Sequence, residues 1–325
     1  MNKIDGKKIL VTGGTGSLGT ELVERLLSGQ HGMPKSIVVF SHTELKQAEM
    51  RMRYSDRRLD FQLGDVRSER RMVEVMRGVD IVFNTAAMKR VEMCERHPDE
   101  AISTNIDGTR NLISVIRNYQ MPVSTVVGVS SDKGCAPINV YGATKFLQES
   151  LILWGNAVCP DTRFVSVCYG NVMGSNGSMI PFFKERIAAG FDIDVRSTEM
   201  TRFMISLPSA VDALMTALDE ALPGEVYVPI LDAARVIDVA EVLVAGSGVD
   251  IRITQPGPGE KTHETLITPQ EAVKVERRGD YYVVTTENQL VPALHGEYVS
   301  SDYVLSREAL ERLFIQEGHV KAVRV

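Results

Sequence analysis

The sequence predicts an α/β chain: a doubly wound parallel sheet covered by helices, followed by a smaller C-terminal substrate-binding lobe. Three observations point there. Short apolar runs alternate with segments of helical length over residues 1–170. A glycine-rich turn closes the first apolar run, where such sheets bind nucleotides. Beyond residue 170 the alternation breaks down, and Gly and Pro become more frequent.

The elements follow in order. KILVTG (8–13), SIVVFS (36–41), DFQLGD (60–65), DIVFNTAA (80–87), STVVGVSS (124–131) and RFVSVCYG (163–170) read as buried strands. After the first of them, Leu18, Leu22, Val23, Leu26 and Leu27 fall on one face of a helix. Residues 1–170 are therefore expected to form the nucleotide-binding domain. SLPSAVDALMTALDEAL (206–222) has its own helix start and apolar period, so 203–232 is expected to pack back on the sheet. Segments 171–202 and 233–325 are left to build the substrate lobe.

Composition narrows the function classes. With 325 residues, 44% of them apolar, the chain can bury a substantial core. A net charge of −6 with mixed signs lacks the basic face of a nucleic-acid binder. Cys94, Cys135, Cys159 and Cys168 are scattered, with no CxxC and no paired His, so neither a disulfide framework nor a metal site is expected. The N-terminus shows no signal-peptide core, and no apolar run reaches the ~18 residues of a membrane span. A cytoplasmic protein without membrane partners is the expectation.

The turn TGGTGSLG (12–19) carries Gly13, Gly16 and Gly19 where a strand becomes a helix. Glycine there permits the tight turn, lets backbone approach a pyrophosphate and packs helix on sheet. A dinucleotide site of Rossmann type is expected. The second strand ends in Ser41, His42 and Thr43, with Lys46 one turn on, where an NAD enzyme usually has an acid. Hydroxyl, imidazole and ammonium groups suit a 2′-phosphate, so NADP is expected ahead of NAD; Glu44 argues the other way. Asp65, ending the third strand, reads equally as a contact to the adenine amino group or as a turn residue.

SSDKGCAPINVYGATK (130–145) concentrates an acid, two lysines and a tyrosine. Tyr141 and Lys145 are four apart and share a helix face. An ammonium beside a phenol favours the phenolate, which can take a hydroxyl proton while hydride leaves the same carbon.

With TGxxGxxG ahead of it, this YxxxK resembles the signature of the extended short-chain dehydrogenase/reductases. SSDKGCAPINVYGATK is similar to the equivalent stretch of the inverting UDP-N-acetylglucosamine 4,6-dehydratases. AAMKRVEMCERHPDEAISTNIDGTRNLI (86–113), YGNVMGSNGSMIPFF (169–183), EMTRFMISL (199–207) and GEKTHETLI (259–267) match that family's pattern in order. The resemblance implies that Tyr141 and Lys145 oxidise C4 of a sugar, with Ser131 bonded to the C4 oxygen. It implies that Lys133 removes the C5 proton and that a protonated Asp132 serves the leaving C6 hydroxyl. Elimination beside a carbonyl does need one acid and one base distinct from the oxidation couple. The resemblance fills out the cofactor contacts as Gly13, Thr15, Gly16, Ser17, Leu18, Ser41, His42, Lys46, Asp65, Val66, Ala86, Ala87, Lys89, Asn105, Tyr141 and Lys145. In the wider family the Asn braces active-site backbone. Lys89, Asn171, Asn176 and Arg202 are the expected substrate contacts, whereas His263 and Glu264 read as structural closure of the cap. A homo-oligomer is expected.

Several arginines of the family pattern are replaced, at Cys168, Asn176 and Gly257, and the strand-two Arg-Asp is His42-Thr43. Arginine suits bidentate phosphate contacts. Either other side chains such as Arg196 or Arg202 compensate, or the substrate carries less phosphate. The candidate functions are thus a UDP-N-acetylglucosamine 4,6-dehydratase, a dehydratase of a nucleoside or other phosphate-poor sugar, a sugar-nucleotide 4-epimerase, and a non-catalytic binding module. The intact catalytic set argues against the last. Asp132-Lys133 argues against the epimerase, which needs no C5 base.

Overall fold

Alternation along each strand sets the layers. In the computed structural model, which describes residues 3–257 and 259–320, Ile9 and Val11 face one core while Leu10 faces the other. Ile37 and Val39 likewise oppose Val38 and Phe40. Both faces of these strands are apolar because both are covered.

The strands are β1 (Lys8–Thr12), β2 (Ser36–Ser41), β3 (Leu59–Leu63), β4 (Ile81–Asn84), β5 (Thr125–Ser131), β6 (Arg163–Tyr169), β7 (Asn171–Val172), β8 (Ile193–Val195), β9 (Thr201–Ile205), β10 (Val226–Pro229), β11 (Ala233–Arg235), β12 (Ile251–Ile253), β13 (Thr265–Ile267), β14 (Val275–Arg278), β15 (Tyr281–Val284) and β16 (Tyr298–Val299). The large sheet has nine strands in the order β14-β15-β10-β6-β5-β4-β1-β2-β3. It is parallel from β3 through β10, and the β14–β15 hairpin adds antiparallel at the β10 edge. Strand order reverses between β1 and β4, so a crevice opens at their carboxyl ends.

One core packs Leu22, Val23 and Leu26 of the helix Ser17–Leu27 with Val211, Leu214 and Leu218 of the helix Leu207–Glu220. Leu22 is fully enclosed, and its replacement by Ala would cost roughly 2–5 kcal/mol. The opposite core gathers Met72, Leu112, Ile116 and Ile152. Chain return to the large sheet begins at the helix Leu207–Glu220 rather than at 203, because β9 pairs with β11 and β7 in a separate three-stranded sheet. The cap has a core of its own, with Ile180, Phe183, Val195, Val239, Leu310 and Phe314. Among the described residues, no helix is long and apolar enough to cross a membrane, and no cluster of His, Cys, Asp and Glu could hold a metal.

Candidate active site

The crevice is a cleft of about 1130 Å³ running from the glycine turn to the cap. Gly13 adopts φ +66°, and a Cβ there would lie 2.9 Å from the Ala86 Cα. The turn is therefore closed to larger residues by both conformation and space. A Cβ on Gly19 would meet the Gly13 carbonyl oxygen at 2.6 Å, so the helix packs directly on the turn. The helix Ser17–Leu27 starts at Gly16 without a side-chain cap, leaving its first N–H groups for an anion. These features fit the pyrophosphate of a nicotinamide dinucleotide.

Gly13, Thr15, Gly16, Ser17, Leu18, Ser41, His42, Lys46, Asp65, Val66, Ala86, Ala87 and Lys89 all line this cleft, as do Thr43 and Arg90. At the strand-two tip, Gln47 donates to the Ser41 hydroxyl at 3.0 Å, while His42 and Lys46 are exposed. Glu44 is exposed and is not part of the lining. Asp65 is bound by Arg67 at 2.7 and 2.9 Å; burial opposes its charge, but these bonds hold its carboxyl below the usual range.

Asn105 does not join the lining. It is fully buried in a wide-turned π-helix, Ile102–Asp107. Its Oδ1 accepts from the Met88 N–H at 2.8 Å, and its Nδ2 donates to the Met88 carbonyl at 3.0 Å and to Thr144 Oγ1 at 2.9 Å. A direct cofactor contact is thereby excluded in this arrangement. The side chain instead ties the chain beyond β4 to the helix Val140–Val158, the bracing position.

That helix is capped by Asn139, whose side chain accepts from the Gly142 N–H. It presents Tyr141 and Lys145 to the cleft. Burial pushes the Tyr141 phenol up to about 12, against opposing influences from Lys133 and the Ser131 hydroxyl. Burial pushes Lys145 down to about 8, opposed by Glu149. The Lys145 ammonium donates to the Val129 carbonyl and to Gln148 Oε1, so in this state it grips strand β5 rather than the phenol. Gln148, buried and bonded onward to Thr109 Oγ1 at 3.1 Å, was not anticipated.

The turn after β5 holds the other pair. Lys133 Nζ lies 3.0 Å from Asp132 Oδ1, 3.2 Å from Asn171 Oδ1 and 3.3 Å from Glu264 Oε1. Burial favours its neutral form, yet Asp132 and Glu264 outweigh that and raise it above an ordinary lysine. Asp132 is completely enclosed; Ser131 Oγ donates to its Oδ1 at 2.9 Å, while its Oδ2 has no hydrogen-bond partner. Ser131, Lys133 and Asn171 line the cleft, but Asp132 sits behind them.

Two expected substrate contacts behave differently. Arg202 reaches the cleft wall, but its guanidinium donates to the carbonyls of Thr201 (2.7 Å), Lys261 (3.0 Å) and Thr262 (3.2 Å). It braces the cap and has little left for a phosphate. Asn176 is exposed and outside the lining; its N–H donates to Ser17 Oγ at 3.0 Å, carrying a cap loop over the glycine turn. Arg196 pairs with Glu260 at 3.8 Å. Lys89, 3.4 Å from Ser175 Oγ, and Arg90 have no ion-pair partner among the described residues. Glu264, read from sequence as cap closure, lines the cleft beside Lys133. Its only sequence signal was its place in GEKTHE, three residues after Lys261.

Known proteins resemble this chain in sequence and fold. The family described as "Polysaccharide biosynthesis protein" matches residues 9–286. The inverting UDP-N-acetylglucosamine 4,6-dehydratase of Campylobacter jejuni is 36% identical, over 88% of this chain and 85% of the relative. A UDP-glucose 4-epimerase of Rickettsia akari is also 36% identical, over 87% and 84%. The X-ray structure of Pen from Bacillus thuringiensis superposes with a TM-score of 0.91 at 32% identity, covering 98% of this chain and 100% of that one. DesIV, a dTDP-glucose 4,6-dehydratase from Streptomyces venezuelae, shares the fold at TM-score 0.72 and 20% identity, over 78% and 86%. The chain therefore belongs to the polysaccharide biosynthesis protein family, within the extended short-chain dehydrogenase/reductases, and resembles its inverting UDP-N-acetylglucosamine 4,6-dehydratases.

Proposed function

We propose that the protein is an NAD(P)-dependent dehydratase that oxidises C4 of a sugar, eliminates water across C5 and C6 and returns hydride to C6, acting on UDP-N-acetylglucosamine. One observation carries the reading: Lys133 lines the same cleft as Tyr141, and Asp132 stands 3.0 Å from it just behind the wall. A 4-epimerase, the activity named for the Rickettsia relative, works through the oxidation couple alone and leaves that second pair without a task.

The bound nicotinamide cofactor supplies the hydride acceptor for C4 and the hydride returned to C6. Gly13, Gly16 and Ser17 would hold its pyrophosphate, and Lys145 its ribose. Tyr141 must first lose its own proton to solvent; the phenolate, favoured by the Lys133 and Ser131 donors around it, then takes the C4 hydroxyl proton while Ser131 donates to the C4 oxygen. The resulting carbonyl acidifies C5. Lys133 rests as an ammonium, so it first passes a proton to Asp132 across their 3.0 Å contact. That one transfer creates both a neutral amine and a carboxylic acid. The amine takes the C5 proton, the acid protonates the departing C6 hydroxyl, and water leaves. The pair is then again ammonium and carboxylate, and a solvent-derived proton added at C5 balances the hydride returned to C6. Asp132 lies behind the cleft wall, so its delivery requires the turn to open.

NADP is preferred over NAD, because exposed His42 and Lys46 stand at the strand-two tip with no acid in the lining there. Four cysteines without a disulfide suit a cytoplasmic setting, and a homo-oligomer completes the reading. A second substrate reading, a nucleoside or other phosphate-poor sugar, is favoured by the engagement of Arg202 with carbonyls, which leaves Lys89 and Arg90 as the available phosphate partners.

The test is incubation with UDP-N-acetylglucosamine in deuterated water, followed by mass and NMR analysis. Loss of one water with deuterium at C5 is expected. A C4 epimer with no mass change would overturn the dehydratase. No conversion by protein that holds cofactor would move the assignment to substrates lacking the diphosphate.

A further inference from the structure

Lys133 has a second carboxylate that its motif does not contain. Glu264 is 2% exposed, and its Oε1 lies 3.3 Å from Lys133 Nζ. Arg202 Nε stands 3.7 Å from Oε1, and Lys261 Nζ 3.7 Å from Oε2. Oε2 has no hydrogen-bond partner. A buried carboxyl oxygen without a bonded donor is unusual; what surrounds this carboxyl is three cationic side chains, Lys133, Arg202 and Lys261.

The backbone fixes Glu264 in place. Its N–H donates to Ser300 Oγ at 2.9 Å, and its carbonyl accepts from the Ser300 N–H at 2.8 Å. The same segment grips the catalytic turn directly. Lys261 Nζ donates to the carbonyls of Asp132 (3.3 Å) and Cys135 (2.5 Å), and Asn139 Nδ2 donates to the Gly259 carbonyl at 2.8 Å. The cap thus holds both the backbone of the turn and the charge at its tip.

We propose that Glu264 is a positioning residue for the acid–base pair: it anchors Lys133 as an ammonium against Asp132 and Asn171, and so sets the pH at which the free amine becomes available. The inference rests on the dehydratase reading for the task of Lys133. The groups facing Lys133 are few. Asp132 and Glu264 attract its proton, Arg202 repels it, and the Tyr141 phenol adjoins it. Lys261 faces Glu264 from the far side. Replacing Glu264 by Gln removes one of two attractions and leaves the repulsion, so the amine should appear at lower pH.

The test compares wild type, Glu264→Gln and Glu264→Asp as full chains with cofactor bound. The first readout needs no substrate: competitive acetylation by acetic anhydride across pH, with Lys133 and Lys145 followed by peptide mass spectrometry. The midpoint for Lys133 should fall by a unit or more in Glu264→Gln. It should stay near wild type in Glu264→Asp, and Lys145 should not move. The second readout is turnover of UDP-N-acetylglucosamine against pH. Glu264→Gln should lower the plateau about tenfold and shift the acidic limb to lower pH. Equal Lys133 midpoints in wild type and Glu264→Gln would overturn the proposal, as would a parallel shift in both variants, which is what a merely structural role would give. Should Glu264→Gln fail to bind cofactor, a shifted midpoint in Glu264→Asp alone overturns it. Wild type inactive on UDP-N-acetylglucosamine would count against the function and leave the labelling result to judge Glu264.

Discussion

The two ends of the active-site wall each bury a lysine, and the two have moved in opposite directions. Lys145 is 3% exposed and is pushed down to about 8, because burial outweighs the opposing influences of Glu149 and Cys168. Lys133 keeps 21% of its side-chain surface and is raised instead, because two carboxylates lie within 3.3 Å. Burial alone therefore does not decide a lysine's charge; it multiplies whatever neighbours are present. At one end the wall offers a cation that is ready to release its proton. At the other it offers a cation that must be relieved of it.

The most severe way to break the comparison is to remove the ionised end. Lys133→Ala should cut dehydration about 10³-fold, the scale of a lost acid–base group. C4 oxidation should survive and appear as reduced cofactor absorbing at the nicotinamide band. If reduction vanishes along with product, the two ends do not divide the work. Lys145→Met attacks the other end and should reduce both steps, with cofactor affinity falling about tenfold to a hundredfold in fluorescence titration, as for a lost charged hydrogen bond.

A gentler test uses pH. A lysine near 8 is mostly charged at pH 7 and about one-tenth charged a unit above its midpoint. Cofactor binding should weaken as pH rises from 7 to 9, and Lys145→Arg should abolish that dependence. Glu149→Gln removes an influence that raises Lys145, so the midpoint should drop further, by a fraction of a unit, while Lys133 labelling stays put. The smallest effect belongs to the exposed edge: Lys46→Glu should reduce NADP preference over NAD by roughly fivefold, since exposed charges act weakly.

Much of the large sheet was legible in the sequence, because Ile9, Leu10 and Val11 write its two-sided burial directly into consecutive letters. The glycine turn was legible for a similar reason: Gly13 answers a local demand on φ and space. The cap was less so. Its two- and three-residue strands β7, β8 and β12 are too short to show a period. Charge was visible but engagement was not. Arg202 looked free for phosphate until its bonds to the Thr201, Lys261 and Thr262 carbonyls were seen. Glu264 meets Lys133 only because a cap segment crosses to a turn far earlier in the chain, a meeting that no local pattern encodes.

The π-helix Ile102–Asp107 has a consequence for how this protein can change length. Such a bulge carries one more residue than an α-turn, and each residue of a helix turns the screw by about 100°. Removing a single residue there would let the coil rewind to the ordinary pitch and would swing Asn105 out of phase with Met88 and Thr144. The residue count of this stretch is thus as much a site determinant as any side chain. A one-residue deletion there should be harder to tolerate than the same deletion at the Gly246–Gly248 turn, where glycine Cβ positions face open space.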